Sequence, residues 1–167
     1  MENEYAHIAL SQGKETIVDW CDYENLSERK WTAWRVGTRW YAVRSIKRSS
    51  LPDDRMLELM HRVIMGNPAG LVIDHINGNG LDNRRSNLRI ATYSQNIANS
   101  HKPVRSKSGF KGVHKFRKAW IASIRKDGVQ RHLGVFDNPR DAARAFDEAA
   151  LFLHGEFAKT NQMMGLL

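Results

Sequence analysis

The stretch from Leu71 to Ser100 leaves the chain few folds to choose from. Leu71–Ile76 is a short apolar run, Asn77-Gly78-Asn79-Gly80 interrupts it, and Leu88-Arg89-Ile90-Ala91 is a second apolar run. Asn and Gly tolerate the backbone angles of tight turns, so the break predicts a loop between two strands. Thr92 then stands where a helix N-cap would, ahead of Tyr93–Ser100, with a hydroxyl that can accept from the first free N–H groups. Strand, loop, strand and helix in 30 residues is too little chain to bury a core alone. The unit must lean on a neighbour or on an ion at its centre. The neighbour predicted from spacing is a helix over Arg55–Met65, with Met56, Leu59, Met60, Val63 and Ile64 on one face and Gly66-Asn67-Pro68 to end it. His61 lies beside that face and reads as a packed or hydrogen-bonded histidine.

The same stretch concentrates chemistry. Asp74 and His75 are adjacent, and Asn87 and Asn96 follow the histidine by 12 and 21 positions. Neighbours on a strand face opposite sides, so Asp74 and His75 can serve one site only where the strand ends or twists, as it can at the Asn-Gly turn. A carboxylate and an amide oxygen are hard ligands that suit Mg²⁺ or Mn²⁺. Such an ion acts as a Lewis acid on a phosphodiester, and a neutral His75 can take a proton from an attacking water. The alternative, which the residues alone leave open, is an asparagine-rich loop that satisfies its own backbone.

Charge points to the partner. Of the net +8, residues 1–100 supply +1 and residues 101–167 supply +7. Between His101 and Val135 there are ten basic residues and one acid, Asp127. A concentrated basic block with aromatics between the charges is the footprint of a nucleic-acid surface; the plainer reading is a solvated charged face. Cys21 is the only cysteine, which excludes an intramolecular disulfide and a Cys-x-x-Cys zinc site and suits a reducing, intracellular home. No apolar run reaches the roughly 18 residues of a membrane span, so no membrane is expected. The acidic start Met1-Glu2-Asn3-Glu4 does not read as a secretory signal.

The flanks read as separate modules. Up to about Lys47 the chain is β-rich: Thr16–Val18 is a strand candidate, and Trp31–Val36 and Arg39–Arg44 flank Gly37-Thr38 as a hairpin. Arg35, Arg39, Arg44, Lys47 and Arg48 could meet phosphates from there. Ser49–Asp54 is a linker, and 101–107 is a second, basic one. Beyond it come strands over Gly112–Phe116, Trp120–Arg125 and Gln130–Phe136, with Asp127-Gly128 as a turn. Asn138-Pro139-Arg140-Asp141 opens a helix whose Ala142, Ala145, Phe146, Ala149, Ala150 and Leu153 form a buried stripe, stopped by Gly155. The expected class is α+β: a small N-terminal β region (1–54), a strand–loop–strand–helix core with its preceding helix (55–100), the linker, and a three-stranded antiparallel sheet packed on one helix (108–161).

Two family resemblances sharpen this. Asp74-His75-Ile76-Asn77-Gly78, Leu81-Asp82-Asn83-Arg84, Ser86-Asn87-Leu88-Arg89 and Asn96-Ile97-Ala98-Asn99 resemble the core of HNH endonucleases, nearest the phage and intron-encoded homing group. The resemblance implies a ββα fold around one divalent cation, with His75 as general base, Asn87 ordering the loop, and Asp74 and Asn96 as metal ligands. Asn96 stands where the family often has a histidine, an H-N-N variant that favours Mg²⁺ or Mn²⁺. Met60-His61-Arg62 also resembles the family, as scaffold. Ser108–Val113, Trp120–Ile124, Leu133–Phe136, Asp141–Asp147 and Gly155–Ala158 resemble the plant ethylene-response-factor (APETALA-type) DNA-binding domain. That family lays its sheet in the major groove. By position the DNA contacts would be Lys111, His114, Lys115, Arg117, Trp120, Arg125, Lys126 and Arg131, with Arg84, Arg85 and Arg89 beside the nuclease motif. His114 stands where the family often has Arg, and packing within the sheet is an equal alternative for Trp120.

Together these imply a site-specific DNA endonuclease of the homing type. It would act as a monomer on double-stranded DNA, with one Mg²⁺ or Mn²⁺, nicking one strand per active site. The alternative is a sequence-specific DNA-binding regulator with an inactive nuclease core. A third reading, a broad-specificity nuclease, sits poorly with a dedicated sequence reader.

Overall fold

Alternating burial organises the first strands. β1 (Tyr5–Ala9) and β2 (Glu15–Asp19) pair antiparallel and turn Ala6, Ile8, Thr16 and Val18 inward. The computed structural model describes residues 4–49, 54–100 and 107–167. These fall into two compact units, Met1–Ala91 and Thr92–Leu167. Positions 50–53 of the expected Ser49–Asp54 linker, and positions 101–106 of the basic linker, lie outside the described residues.

In the first unit β2 runs directly into α1 (Trp20–Ser27). The sequence did not suggest this helix, since Leu26 is its one buried residue and leaves no apolar period to read. The Trp31 indole N–H donates to Leu26 O at 2.9 Å, which ties the helix end to the next sheet. β3 (Thr32–Val36) and β4 (Arg39–Lys47) form the expected hairpin around Gly37-Thr38.

The helix predicted over Arg55–Met65 is a correction. Its first half is β5 (Arg55–Leu59), paired antiparallel with β4 from Val43↔Leu59 to Lys47↔Arg55, and α2 covers only Met60–Ile64. The open edge of β4 offers these residues a hydrogen-bonding ladder. Glu58 stands opposite Arg44 there and pairs with it as a short ion pair. Strand propensity is decided by such neighbours, and they outweigh the local helical spacing.

β6 (Val72–His75) and β7 (Leu88–Ala91) form a two-stranded antiparallel sheet, with a 3-10 turn at Arg85–Asn87 entering β7. One apolar core joins these pieces: Val18, Leu26, Trp31, Met60, Ile73 and Leu88 come from six different segments. The small β6–β7 sheet therefore borrows its core from the N-terminal strands, as its length required.

The second unit begins with α3 (Tyr93–Ala98), closed by a reciprocal capping box between Thr92 and Gln95. β8 (Val113–Phe116), β9 (Ala119–Lys126) and β10 (Val129–Phe136) make an antiparallel sheet in the order β10-β9-β8, with a bulge between His132 and Gly134. α4 (Pro139–His154) starts at Asn138, whose side-chain oxygen accepts from the N–H groups of Arg140 and Asp141. Its Ala142, Ala143 and Phe146 pack on Val113, Ala122 and Ile124 of the sheet. A Cβ on Gly112 would lie 1.9 Å from the Phe146 ring, so only glycine lets β8 start that close to the helix. Asp147, buried on α4, accepts from Asn161 N, Asn161 Nδ2 and Gln162 N and moors the C-terminal segment. The fold is α+β, with a three-stranded C-terminal sheet backed by one helix. No helix of the described residues is long and apolar enough to cross a membrane.

Candidate active site

β6 delivers His75 at its last position, and the loop that follows is held almost entirely by asparagines. Asn87 spans it: Asn77 N donates to Asn87 Oδ1 at 3.0 Å, and Asn87 Nδ2 donates to Asn77 Oδ1 at 3.1 Å and to Asp82 O at 2.8 Å. Asn77 Nδ2 donates to Asp82 Oδ2, and Asn79 N and Leu81 N are taken by the side chains of Asn77 and Asn79. Side-chain amides thus take up part of the loop's backbone and help fix its course. The far side of the loop is stitched to β2, with Ile17 N donating to Leu81 O at 2.9 Å and Asn83 N to Ile17 O at 2.8 Å. Gly80 lets it sit on β4, because a Cβ there would be 2.4 Å from Trp40 O and 2.7 Å from the Tyr41 ring.

His75 is 7% exposed and enclosed by aromatic rings. The His61 ring from α2 stands edge-on to it at 4.8 Å between centroids, and the Tyr41 ring from β4 lies at 6.1 Å. Its Nε2 is 2.9 Å from Asn83 Oδ1. Burial drives its proton affinity below the ordinary histidine value; the Asn83 hydrogen bond and the charges of Asp74 and Asp82 work the other way without cancelling it. His75 is therefore neutral near pH 7, the state a general base requires. His61, equally buried, is pushed down to about 3 by burial first and by His75 and Arg62 after it.

Asp74 faces away from His75 along the strand, as adjacent strand residues do. Its cross-strand partner is Arg89, whose Nε and Nη2 lie 2.9 and 2.8 Å from Asp74 Oδ2. The carboxylate is 4% exposed. As a hard oxygen donor it suits a divalent cation, but any such ion shares it with a guanidinium. Among the described residues no three His, Cys, Asp or Glu side chains cluster to hold a metal. Asn96, the other expected ligand, is on α3 and belongs to the second unit.

The arginines beside the motif are likewise engaged. Arg84 grips Asp82 through Nε and Nη2 at 2.8 and 2.7 Å and holds that carboxyl below the usual range. Arg85 grips Asp22 on α1 through Nε and Nη2 at 2.8 and 2.7 Å. These two, with Arg89, act first as struts of the first unit.

The second unit sorts its candidates by strand face. Trp120, Ala122 and Ile124 point toward α4, and Trp120 packs on that core. The Lys115 ammonium lies over the Trp120 ring at 5.3 Å. Arg131 is paired with Ile124 and Lys126 with Val129, which puts both on the helix side of the sheet by register, Arg131 itself being exposed. His114 and Arg125 share the opposite face, and Arg117 is exposed in the β8–β9 turn at φ 54°. Lys111 is committed internally: its ammonium donates to Ala98 O, Ser100 O and Lys159 O, and burial lowers its pKa to about 8.

The sequence reading missed Thr16, Tyr41 and Asn83 as neighbours of the site, and read His61 as a packed or hydrogen-bonded histidine without placing it against His75. Asn83 had a signal, its place within the asparagine-rich loop. Thr16 had none, being 67 residues from Asn83 in the chain.

Comparison with known proteins adds a family and two viral relatives. Residues 58–98 match the HNH endonuclease family. A mimivirus protein of Acanthamoeba polyphaga mimivirus named Uncharacterized HNH endonuclease L560 is 35% identical over 97 residues, covering 58% of this chain and 50% of that protein. Protein 3.8 of Escherichia phage T7 is 34% identical over 94 residues, covering 55% of this chain and 77% of that protein. The chain thus spans half the length of the mimivirus relative and about three quarters of the phage one.

Proposed function

The chain belongs to the HNH endonuclease family, and on that premise we propose that it is a DNA endonuclease of the site-specific, homing type, working as a monomer inside a host cell. The observation that carries the reading is a buried, neutral His75 held at a strand end inside a domain of that family. In this reading His75 takes a proton from the attacking water. Asn87 keeps the loop after β6 in its course, so that the imidazole stays aligned with the scissile bond.

HNH nucleases generally depend on a divalent metal. Asp74 and Asn96 are the ligands proposed here for one Mg²⁺ or Mn²⁺, on resemblance alone. When bound, the ion would stabilise charge on the scissile phosphate and the leaving oxygen. Arg89 already neutralises Asp74, so an ion held there would compete with the guanidinium for that carboxylate. Residues 55–100 are read as the nuclease core. Residues 108–161 are read as an ethylene-response-factor-like module that selects the target. The exposed His114, Arg117 and Arg125 support that reading as candidate contacts, whereas Lys111 supports it least. One active site per chain favours a single-strand nick.

A DNA-binding regulator with an inactive core has one observation in its favour, the guanidinium that occupies Asp74. Cleavage of supercoiled plasmid libraries separates the two. Wild-type protein with Mg²⁺ or Mn²⁺ should give open circles, lost with EDTA and in His75→Ala. Retained binding without cutting under every condition would establish the regulator instead.

A further inference from the structure

A chain of buried hydrogen bonds runs from His75 through Asn83 and Thr16 to a backbone carbonyl. Leu81 O accepts from Ile17 N at 2.9 Å and lies 2.7 Å from Thr16 Oγ1. A carbonyl can only accept, so the single Thr16 hydroxyl proton is committed to it. Thr16 Oγ1 must then accept from its other neighbour, Asn83, 2.8 Å away, which therefore presents its Nδ2 to Thr16. The same Nδ2 lies 3.6 Å from Met60 Sδ, a weak acceptor that agrees with this orientation. Asn83 is left with Oδ1 toward His75, and at 2.9 Å an amide oxygen requires a proton on Nε2. The reversed amide would set lone pair against lone pair between Asn83 and Thr16, or between Thr16 and Leu81. Thr16 and Asn83 are both 0% exposed, so no solvent competes for these groups.

We infer that Thr16 and Asn83 are positioning residues that lock His75 as its Nε2–H tautomer and make Nδ1 the nitrogen that receives the proton. The role of Nδ1 in water activation rests on the nuclease reading above; the tautomer does not. The relay reaches from β2 through the loop to β6, and the His61 ring, edge-on to His75, holds the plane in which the lone pair lies. The N-terminal hairpin thus supplies a functional group to a motif 59 positions downstream of Thr16. An imidazole whose tautomer is fixed by a second partner is a stronger and better-aimed base than one free to exchange.

The test reads the tautomer directly. Long-range proton–nitrogen correlation spectra of the ¹⁵N-labelled full chain, with the His75 signals identified by their loss in His75→Gln, should show protonated-type nitrogen at Nε2 and lone-pair-type nitrogen at Nδ1. The opposite pattern, or averaging of the two, overturns the relay whatever the protein does to DNA. Thr16→Val should turn the fixed pattern into an averaged one, and Thr16→Ser should restore it. A fixed Nε2–H pattern in Thr16→Val would also overturn the relay. In a cleavage assay Thr16→Val should lower kcat about tenfold or more at unchanged KM, with recovery in Thr16→Ser. A protein that cuts no DNA yet shows the locked tautomer keeps the relay and loses only the nuclease reading.

Discussion

His61 makes this chain sensitive to mild acid in a way that one substitution should remove. Its pKa is held at about 3 in the fold, against an ordinary 6.5, chiefly by burial. The unfolded chain therefore binds a proton below pH 6.5 that the folded chain refuses until about pH 3. Stability from this group is intact above 6.5 and falls as the pH drops through that window. At 1.36 kcal/mol per unit, the loss is about 2 kcal/mol by pH 5 and about 5 kcal/mol once the pH is below 3. His75 titrates with the same sign and adds to the slope. His61→Gln keeps a polar side chain of similar size but cannot titrate. Urea unfolding at pH 7.5 and 5.0, followed by tryptophan fluorescence, gives the difference for each protein. The variant should lose about 2 kcal/mol less than wild type between the two pH values. Parallel losses would show that His61 takes up its proton without unfolding and would refute the burial argument.

Two further perturbations act on the supports of the site. Arg89→Met leaves the buried Asp74 carboxylate without its guanidinium, which should cost ~3 kcal/mol in chemical denaturation. Asp74→Asn in that background should recover a large part of the loss, and an additive double mutant would contradict the pairing. Gly80→Ala forces a Cβ to 2.4 Å from Trp40 O, so the loop must lift from β4 at a cost of ~1–3 kcal/mol in thermal unfolding. An unchanged melting temperature would mean that the loop is not seated on β4.

Local patterns carried much of the architecture. The β3–β4 hairpin was legible because aromatic and β-branched runs flank Gly37, and α4 because Asn138-Pro139, an alanine stripe and Gly155 mark its start, face and end. The β6–loop–β7–α3 order followed from apolar runs broken by Asn-Gly and from the Thr92 cap. β5 was misread because Arg55–Leu59 carries helical spacing, and only the free edge of β4 makes it a strand. Of the candidate site, side-chain type and local order were legible. Asp74, His75 and Asn87 stand out by type and spacing, and Asn87 spans its loop as a short-range amide can.

Charge could be counted in the sequence but its use could not. Lys111, Arg84, Arg85 and Arg89 read as free cations, yet each is bonded to a carbonyl or carboxylate that the fold brings within about 3 Å. By itself the sequence determined which segments are strands or helices at their clearest, that the second half is basic, and that carboxylate, imidazole and amide side chains gather between Asp74 and Asn96. These properties depend on side-chain type and on neighbours a few positions away. Only the tertiary structure decided that Thr16 reaches Asn83, that His61 and Tyr41 wall in His75, and that Asp74 meets Arg89. Burial and hydrogen-bond direction depend on groups brought together from distant parts of the chain, and no local pattern encodes that meeting.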